Sequence, residues 1–259
     1  MPEYKSIKAA GVPIIYSPEY EQAASAMAGA VVETASILAQ RWKLPVPRGC
    51  EVHVLTDWEE FLDRTVPRHL RLLFKLTKPL WRARVERTFP LAGGWMMPWR
   101  GRPAVGVKPP ELLAQSQVGL GDRLFEPVPD LLEKVRHLTS HEFTHACTAH
   151  LKLPPWLNEG LAMRTVDHMV GHPTVLEATR ALAHSDLATL DSRSYRRVGP
   201  GDQDALIRLY ATGYWATRQL EEKRPSVLGE LLQRRRSARD VTQRAGGALR
   251  LAAVDGRPS

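Results

Sequence analysis

Hydrophobic positions along the chain fall into two spacings, and the change from one to the other marks the elements. Met27, Val31, Leu38 and Trp42 recur at helical intervals behind Ser17-Pro18-Glu19, where a proline suits a first turn, so a helix is predicted there. Its Ala-rich part from Ala23 to Ala39 carries Glu33, Thr34 and Ser36 and is too polar to span a bilayer. Alternation then takes over in Cys50-Glu51-Val52-His53-Val54-Leu55, a short strand, and Thr56-Asp57-Trp58-Glu59 has the form of a capping box opening the next helix. Ala92 to Met97 and Ala104 to Val107 flank Trp99-Arg100-Gly101-Arg102-Pro103 and predict a hairpin. Pro129-Asp130-Leu131-Leu132-Glu133 has a second capping-box form, and Leu131, Val135 and Leu138 begin a helical stripe. That helix extends to about His150 and stops at Leu153-Pro154-Pro155. Pro155 opens a further helix with Trp156, Leu157, Leu161, Ala162 and Thr165 on its buried face.

The pattern predicts an α+β class: a small mixed sheet, two central helices and a helical C-terminal part. At 259 residues the chain is long for one domain and short for two equal ones, so a single domain over 1–259 is expected. It comprises a helix and sheet part over 1–128, helices over 129–236 and a flexible tail over 237–259.

The central pair of helices carries the chemistry. His141-Glu142-Phe143-Thr144-His145 places two imidazoles four residues apart, one above the other on a helix, so both can reach one metal ion. Glu142 is turned about 100° from His141, which suits a general base acting on water rather than a ligand. Chance alone yields such a pentapeptide in roughly two of a hundred chains of this composition, so its context has to decide. Glu159, in Trp156-Leu157-Asn158-Glu159-Gly160, follows one turn into the next helix and supplies a carboxylate as third ligand. Two imidazoles and one carboxylate leave the fourth position of a zinc ion open, as in a catalytic rather than a structural site. His137 continues the same helix face, but three ligands already form a complete set, so it is left out. His150, His168, His172 and His184 have no comparable spacing.

These segments resemble the gluzincin metallopeptidases, and most closely their small peptidase MA-like domains. Pro155-Trp156-Leu157-Asn158-Glu159-Gly160-Leu161-Ala162 is also similar to the third-ligand segment of the zinc aminopeptidases. The resemblance implies a thermolysin-like catalytic domain, zinc held by His141, His145 and Glu159, Glu142 activating the water, and hydrolysis of peptide bonds. Tyr210-Ala211-Thr212-Gly213-Tyr214 is similar to the Tyr-x-x-Gly helix of those enzymes, which implies that Tyr210 donates to the oxyanion, with Tyr214 one turn on as the rival. A sheet edge that binds the substrate backbone is also implied; Gly93 to Met97 is the candidate, since its paired glycines permit close approach of another backbone, and an ordinary hairpin of the core sheet is the equal alternative. The chain departs from the pattern in three places. Its connection between His145 and Glu159 is short, Met163 stands where thermolysin-like proteins have an aspartate with Asp167 a poor substitute by spacing, and Ala92-Gly93-Gly94-Trp95-Met96-Met97 lacks the carboxylate that holds a free amine. Aminopeptidase specificity is therefore not carried over.

Charge adds one feature. Nearly all of the formal net charge of +8 sits between Arg64 and Thr88, where Arg64, Arg68, Arg71, Lys75, Lys78, Arg82, Arg84 and Arg87 face only Glu86. Interleaved Leu70, Leu73, Phe74, Leu76, Leu80 and Trp81 make this stretch amphipathic, and Pro79 is expected to break or kink it. Arg234-Arg235-Arg236 and Arg239 form a second basic cluster. Such runs are either a solvated helix face or a contact for an acidic partner, a membrane surface or nucleic acid. Nucleic acid is disfavoured, because no zinc-finger spacing or other nucleic-acid module accompanies them. A basic docking protein with a structural or inactive zinc site is thus the alternative to a peptidase acting on a peptide or protein substrate. Two cysteines, Cys50 and Cys147, make no disulfide framework. Met1-Pro2-Glu3-Tyr4-Lys5 does not lead into a secretory signal, and no transmembrane segment is apparent, so cytoplasmic residence is the default expectation.

Overall fold

A hairpin opens the chain. β1 (Lys5–Ala9) and β2 (Val12–Tyr16) pair antiparallel through a two-residue turn in which Ala10 and Gly11 have φ 48° and 79°. Positive φ at both central residues gives the turn whose twist matches the strands it joins. The computed structural model describes residues 3–99, 101–115, 120–183, 187, 203–233 and 237–255. Arg100, His184 and the Arg234-Arg235-Arg236 cluster lie outside the described residues.

The chain divides into two compact units, the first formed by Met1–Ser36, Val46–Gly119 and Pro127–Ala146 and the second by Ile37–Pro45, Leu120–Glu126 and Cys147–Ser259. In the first unit, α1 (Glu21–Ile37) leads to β3 (Glu51–Val54), and α2 (Trp58–Thr65) and α3 (Arg71–Thr88) lead to the predicted hairpin of β4 (Gly94–Met97) and β5 (Ala104–Val107). Strand order is β1-β2-β3-β5-β4, so β4 is an edge; β2, β3 and β5 run parallel and the two outer pairs antiparallel. Ile14, Val52, Val105 and Val107 share one sheet face by register and alternation, and all are fully buried. His53 faces the other way, edge-on to Phe61 of α2 at 5.5 Å.

Two local expectations need correction. The N-cap of α2 is Asp57 rather than Thr56: its carboxylate accepts the Glu60 N–H at 2.8 Å, while Glu59 is drawn off to Lys78 at 2.6 Å. Pro79 does not break α3, which runs unbroken to Thr88. Thr77 donates to the Leu73 carbonyl at 2.9 Å and the Trp81 indole to that of Phe74 at 3.4 Å, and Phe74, Trp81 and Val85 pack on the Trp58, Phe61 and Leu62 cluster. Those contacts hold the helix through the turn where proline removes a backbone donor. After α3 come α4 (Pro110–Ala114), α5 (Leu120–Leu124), which belongs to the second unit, and α6 (Leu131–Thr148).

The second unit is helical. α7 (Pro155–Val170) begins at the predicted proline and ends on Gly171 with φ 83°, and it is buried on nearly every side rather than along one stripe. α8 (Gln203–Lys223) packs along it, with α9 (Pro225–Gln233) beyond. α7 and α8 meet at two glycines: a methyl group on Gly160 would overlap the Gly213 carbonyl and the Thr217 hydroxyl, and one on Gly213 would overlap the Trp156 carbonyl. The stretch expected to be a tail contains α10 (Ala238–Asp255), with Val241 and Ala245 buried and the Trp156 indole donating to Thr242 at 3.2 Å. No described helix is long and apolar enough to cross a membrane. Cys50 and Cys147 form no disulfide and are both buried, and burial pushes the Cys50 thiol up to about 12.

Candidate metal centre

α6 is a helix whose interior is unusually rich in hydroxyls. Asp130 caps it by accepting the Leu132 N–H at 2.9 Å; Glu133, predicted to return the favour, instead meets Arg136 at 2.9 Å and His137 at 3.2 Å. Thr139 and Thr144 are fully buried and donate to the carbonyls four residues back, of Val135 and Ser140. Thr34 of α1 donates to the Ser140 hydroxyl at 2.9 Å, and Arg136 clasps Glu33 of α1 at 2.8 and 2.9 Å. Tied along this face, α6 presents His141 and His145 one turn apart.

The two imidazoles converge. Their Nε2 atoms are 3.1 Å apart and the rings lie edge to face, with centroids at 4.7 Å and planes at 89°. Two nitrogens bound about 2.0–2.1 Å from one tetrahedral ion stand roughly 3.3 Å apart, so the pair is already set at a chelating separation. Glu159 completes the group: His141, His145 and Glu159 each offer one ligand atom, and the three atoms lie within 4.8 Å of one another. Such a set can hold a metal ion. Its chemistry fits one, because imidazole nitrogens beside a carboxylate only 6% exposed are donors that first-row divalent metals take. His137 does not join the group.

Glu142, on the same helix as the two histidines, is not one of the three donors. It lies against the edge strand instead: a methyl group built on Gly94 of β4 would come within 2.8 Å of Glu142 Cγ and 3.4 Å of its Cδ. The neighbouring Gly93 leaves room for Leu138 in the same way, at 2.6 Å. These glycines, expected to admit a second backbone, admit the side chains of α6. Gly94 shares its face with Val107, so β4 turns that face to Glu142 and the opposite one, with Trp95, to the aromatic cluster of α2 and α3.

Glu159 is set by its own helix. Asn158, immediately before it, accepts a hydrogen bond from Thr148 at 2.8 Å, and Gly160, immediately after, is the point of closest approach to α8. Towards its other end α7 is locked by a buried polar network. Asp167 accepts from Arg164 at 2.7 Å, from the Tyr214 hydroxyl at 2.7 Å, and from the backbone and hydroxyl of Thr174, both at 2.8 Å. Arg164 also donates to Glu221 of α8 at 2.9 Å, where His168 stands at 2.6 Å and Arg41 at 3.4 Å. Burial alone would raise the Glu221 carboxyl, but His168 and Arg164 outweigh it and hold it below the usual range. Burial likewise opposes the charge on Arg164, and Glu221 and Asp167 more than offset it. Burial, reinforced by Asp167, pushes the Tyr214 hydroxyl up to about 12.

These contacts separate the two tyrosines. Tyr214 is fully buried with its hydroxyl committed to Asp167, so it serves the network and is not the rival oxyanion donor. Tyr210 is half-buried, one turn before Gly213, and packs with Phe125 and Trp215 around Leu124, Ile207 and Ala211. Asp167 is spent on Arg164, Tyr214 and Thr174, in keeping with its poor spacing for a ligand-orienting role. Asn158 and the Arg164-Asp167-Glu221 network went unread in the sequence. A polar residue in an apolar helical stripe was the available signal for Arg164, whereas its partners lie up to 57 positions away. Comparison with protein-family models, with curated proteins and with solved structures finds no match for this chain.

Proposed function

We propose that the chain is a zinc-dependent peptidase that hydrolyses peptide bonds, with His141, His145 and Glu159 as ligands and Glu142 as general base. The observation that carries this reading is the convergence of two Nε2 atoms 3.1 Å apart with one carboxylate, beside a second carboxylate lying along an edge strand. When bound, zinc supplies a Lewis acid that acidifies water and polarises a carbonyl oxygen. Glu142 accepts the proton that water gives up as its oxygen bonds to the scissile carbon. It then passes that proton to the departing amine as the C–N bond breaks. Tyr210 is assigned to the oxyanion, where loss of one donor costs about a hundredfold in rate or more. The open side of β4 offers backbone groups to an extended substrate, which would lie as an added strand across Glu142. No acidic residue in Gly94–Met97 is available to hold a free amine, which favours cleavage within a chain over removal of its first residue.

Turnover of a peptide library by the zinc-loaded protein and by Glu142→Gln tests the assignment. The variant should keep its metal and lose hydrolysis, because an amide cannot take the proton. Unchanged cleavage by Glu142→Gln, or no cleavage by the zinc-loaded parent, contradicts it.

A further inference from the structure

α3 has a second apolar face that its packing leaves unused. Phe74, Trp81 and Val85 turn inward. On the other side Leu72, Leu73, Leu76 and Leu80 are exposed by 72, 59, 71 and 83%, four of the seven large hydrophobic residues exposed among the described residues. At about 100° per residue these leucines fill one continuous arc of roughly 100°. Single exposed leucines are common, whereas a contiguous stripe of them marks a contact surface.

What covers it follows from the charge at its border. Arg71, Lys75 and Arg82 lie in a row along one side of the arc, and Arg68 stands just before the helix. Lys78 and Arg82 are matched by Glu59 and Glu86, but Arg68, Arg71 and Lys75 form no ion pair among the described residues. Over the whole helix six basic residues stand against Glu86 alone. A second copy laid face to face would set these cationic rows against each other. A nucleic acid would meet leucines where it needs cations.

We propose that α3 docks on an anionic lipid surface, lying in the plane of the interface with Leu72, Leu73, Leu76 and Leu80 in the acyl boundary and Arg68, Arg71 and Lys75 among the headgroups. Such a surface satisfies both halves of the helix at once. The proposed contact is interfacial, and no described helix is long and apolar enough to cross a membrane. The helix is well supported for this role: its inner face and the Phe89 ring that follows join Trp95 and Trp99 in one aromatic cluster, with Phe89 stacked on Trp95 at 6.0 Å and 6°. Docking does not depend on hydrolysis.

Vesicle flotation of the full chain tests the proposal. Phosphatidylcholine vesicles with about 30% phosphatidylserine should carry the protein at least about tenfold better than phosphatidylcholine alone, and about 0.5 M salt should weaken binding several-fold. The double substitution Leu76→Glu and Leu80→Glu should lower binding by about tenfold or more with circular dichroism and melting temperature unchanged, because both side chains stand in water. Arg71→Glu with Lys75→Glu should remove the preference for anionic vesicles. Failure of the wild type to float, or flotation of the Leu76→Glu and Leu80→Glu variant like wild type, overturns the proposal. So does a dimer abolished by the leucine substitutions without vesicle binding, which assigns the face to a second copy. Binding of a nucleic-acid duplex that the leucine substitutions leave intact, again without vesicle binding, overturns it in favour of a phosphate contact.

Discussion

Replacing Gly94 by alanine probes how closely β4 and Glu142 depend on each other. The added methyl group would lie 2.8 Å from Glu142 Cγ, 3.4 Å from its Cδ and 3.3 Å from the Gly106 carbonyl oxygen. Carbon atoms rest about 3.5–4.0 Å apart, so roughly an ångström must be found. The β5 backbone is fixed by its pairing on both sides, and the Glu142 side chain is the part that can turn. A general base displaced by about 1 Å costs about a hundredfold in turnover, equivalent to about 2.7 kcal/mol of barrier. The cost to stability is smaller, about 1–2 kcal/mol, because a flexible side chain absorbs the strain. Turnover on a cleaved peptide, zinc content and urea unfolding measured on the same preparation separate these effects. Gly106→Ala is the control: its methyl group meets Phe61 at 3.1 Å and Leu55 at 3.3 Å on the opposite face, so it should lower stability and spare turnover. Gly94→Ala that folds, holds zinc and turns over like wild type refutes the placement of Glu142 as base. Equal losses of turnover in both variants would refute it as well.

The two tyrosines should part company under substitution. Tyr214→Phe removes a donor from the buried Asp167 carboxylate and should cost about 1.5–3 kcal/mol in urea unfolding, whereas Tyr210→Phe should leave stability near wild type and lower turnover about a hundredfold. The reverse pattern would contradict both assignments. Stability should also fall on the acid side through Glu221, whose carboxyl is held low in the fold by His168 and Arg164 despite its burial. Its contribution is present above the unfolded carboxyl value of about 4.3 and disappears as pH drops through the folded one, so the gap between wild type and Glu221→Gln should narrow below about pH 4. Urea midpoints showing a constant gap from pH 7 down to about pH 3 would count against that linkage.

What the sequence made legible is what local chemistry decides. Pro155 opens α7, the spacing of His141 and His145 follows from the helix repeat, and the alternation in β3 and the hairpin of β4 and β5 needed no distant partner. Expectations failed where a remote residue intervened. Glu59 left its cap because Lys78 lies beside it, and α3 passes Pro79 because Thr77, Trp81 and the α2 cluster hold the turns on either side. Tyr214 looked like an alternative to Tyr210 until Asp167, 47 positions away, claimed its hydroxyl. The same holds for Gly94: its pairing with a neighbouring glycine suggested close approach, but only the packing of β4 on α6 identifies Glu142 as what approaches.

The most direct measurement is the metal content of the purified chain after exposure to zinc and dialysis, compared with His145→Ala and Glu159→Gln. Wild type should retain about one zinc per chain, His145→Ala should lose it, and Glu159→Gln should hold it far more weakly, with the fold of all three intact by circular dichroism. A wild-type chain that keeps no zinc, or a His145→Ala variant that keeps as much as wild type, would contradict the assignment of His141, His145 and Glu159 as one metal centre.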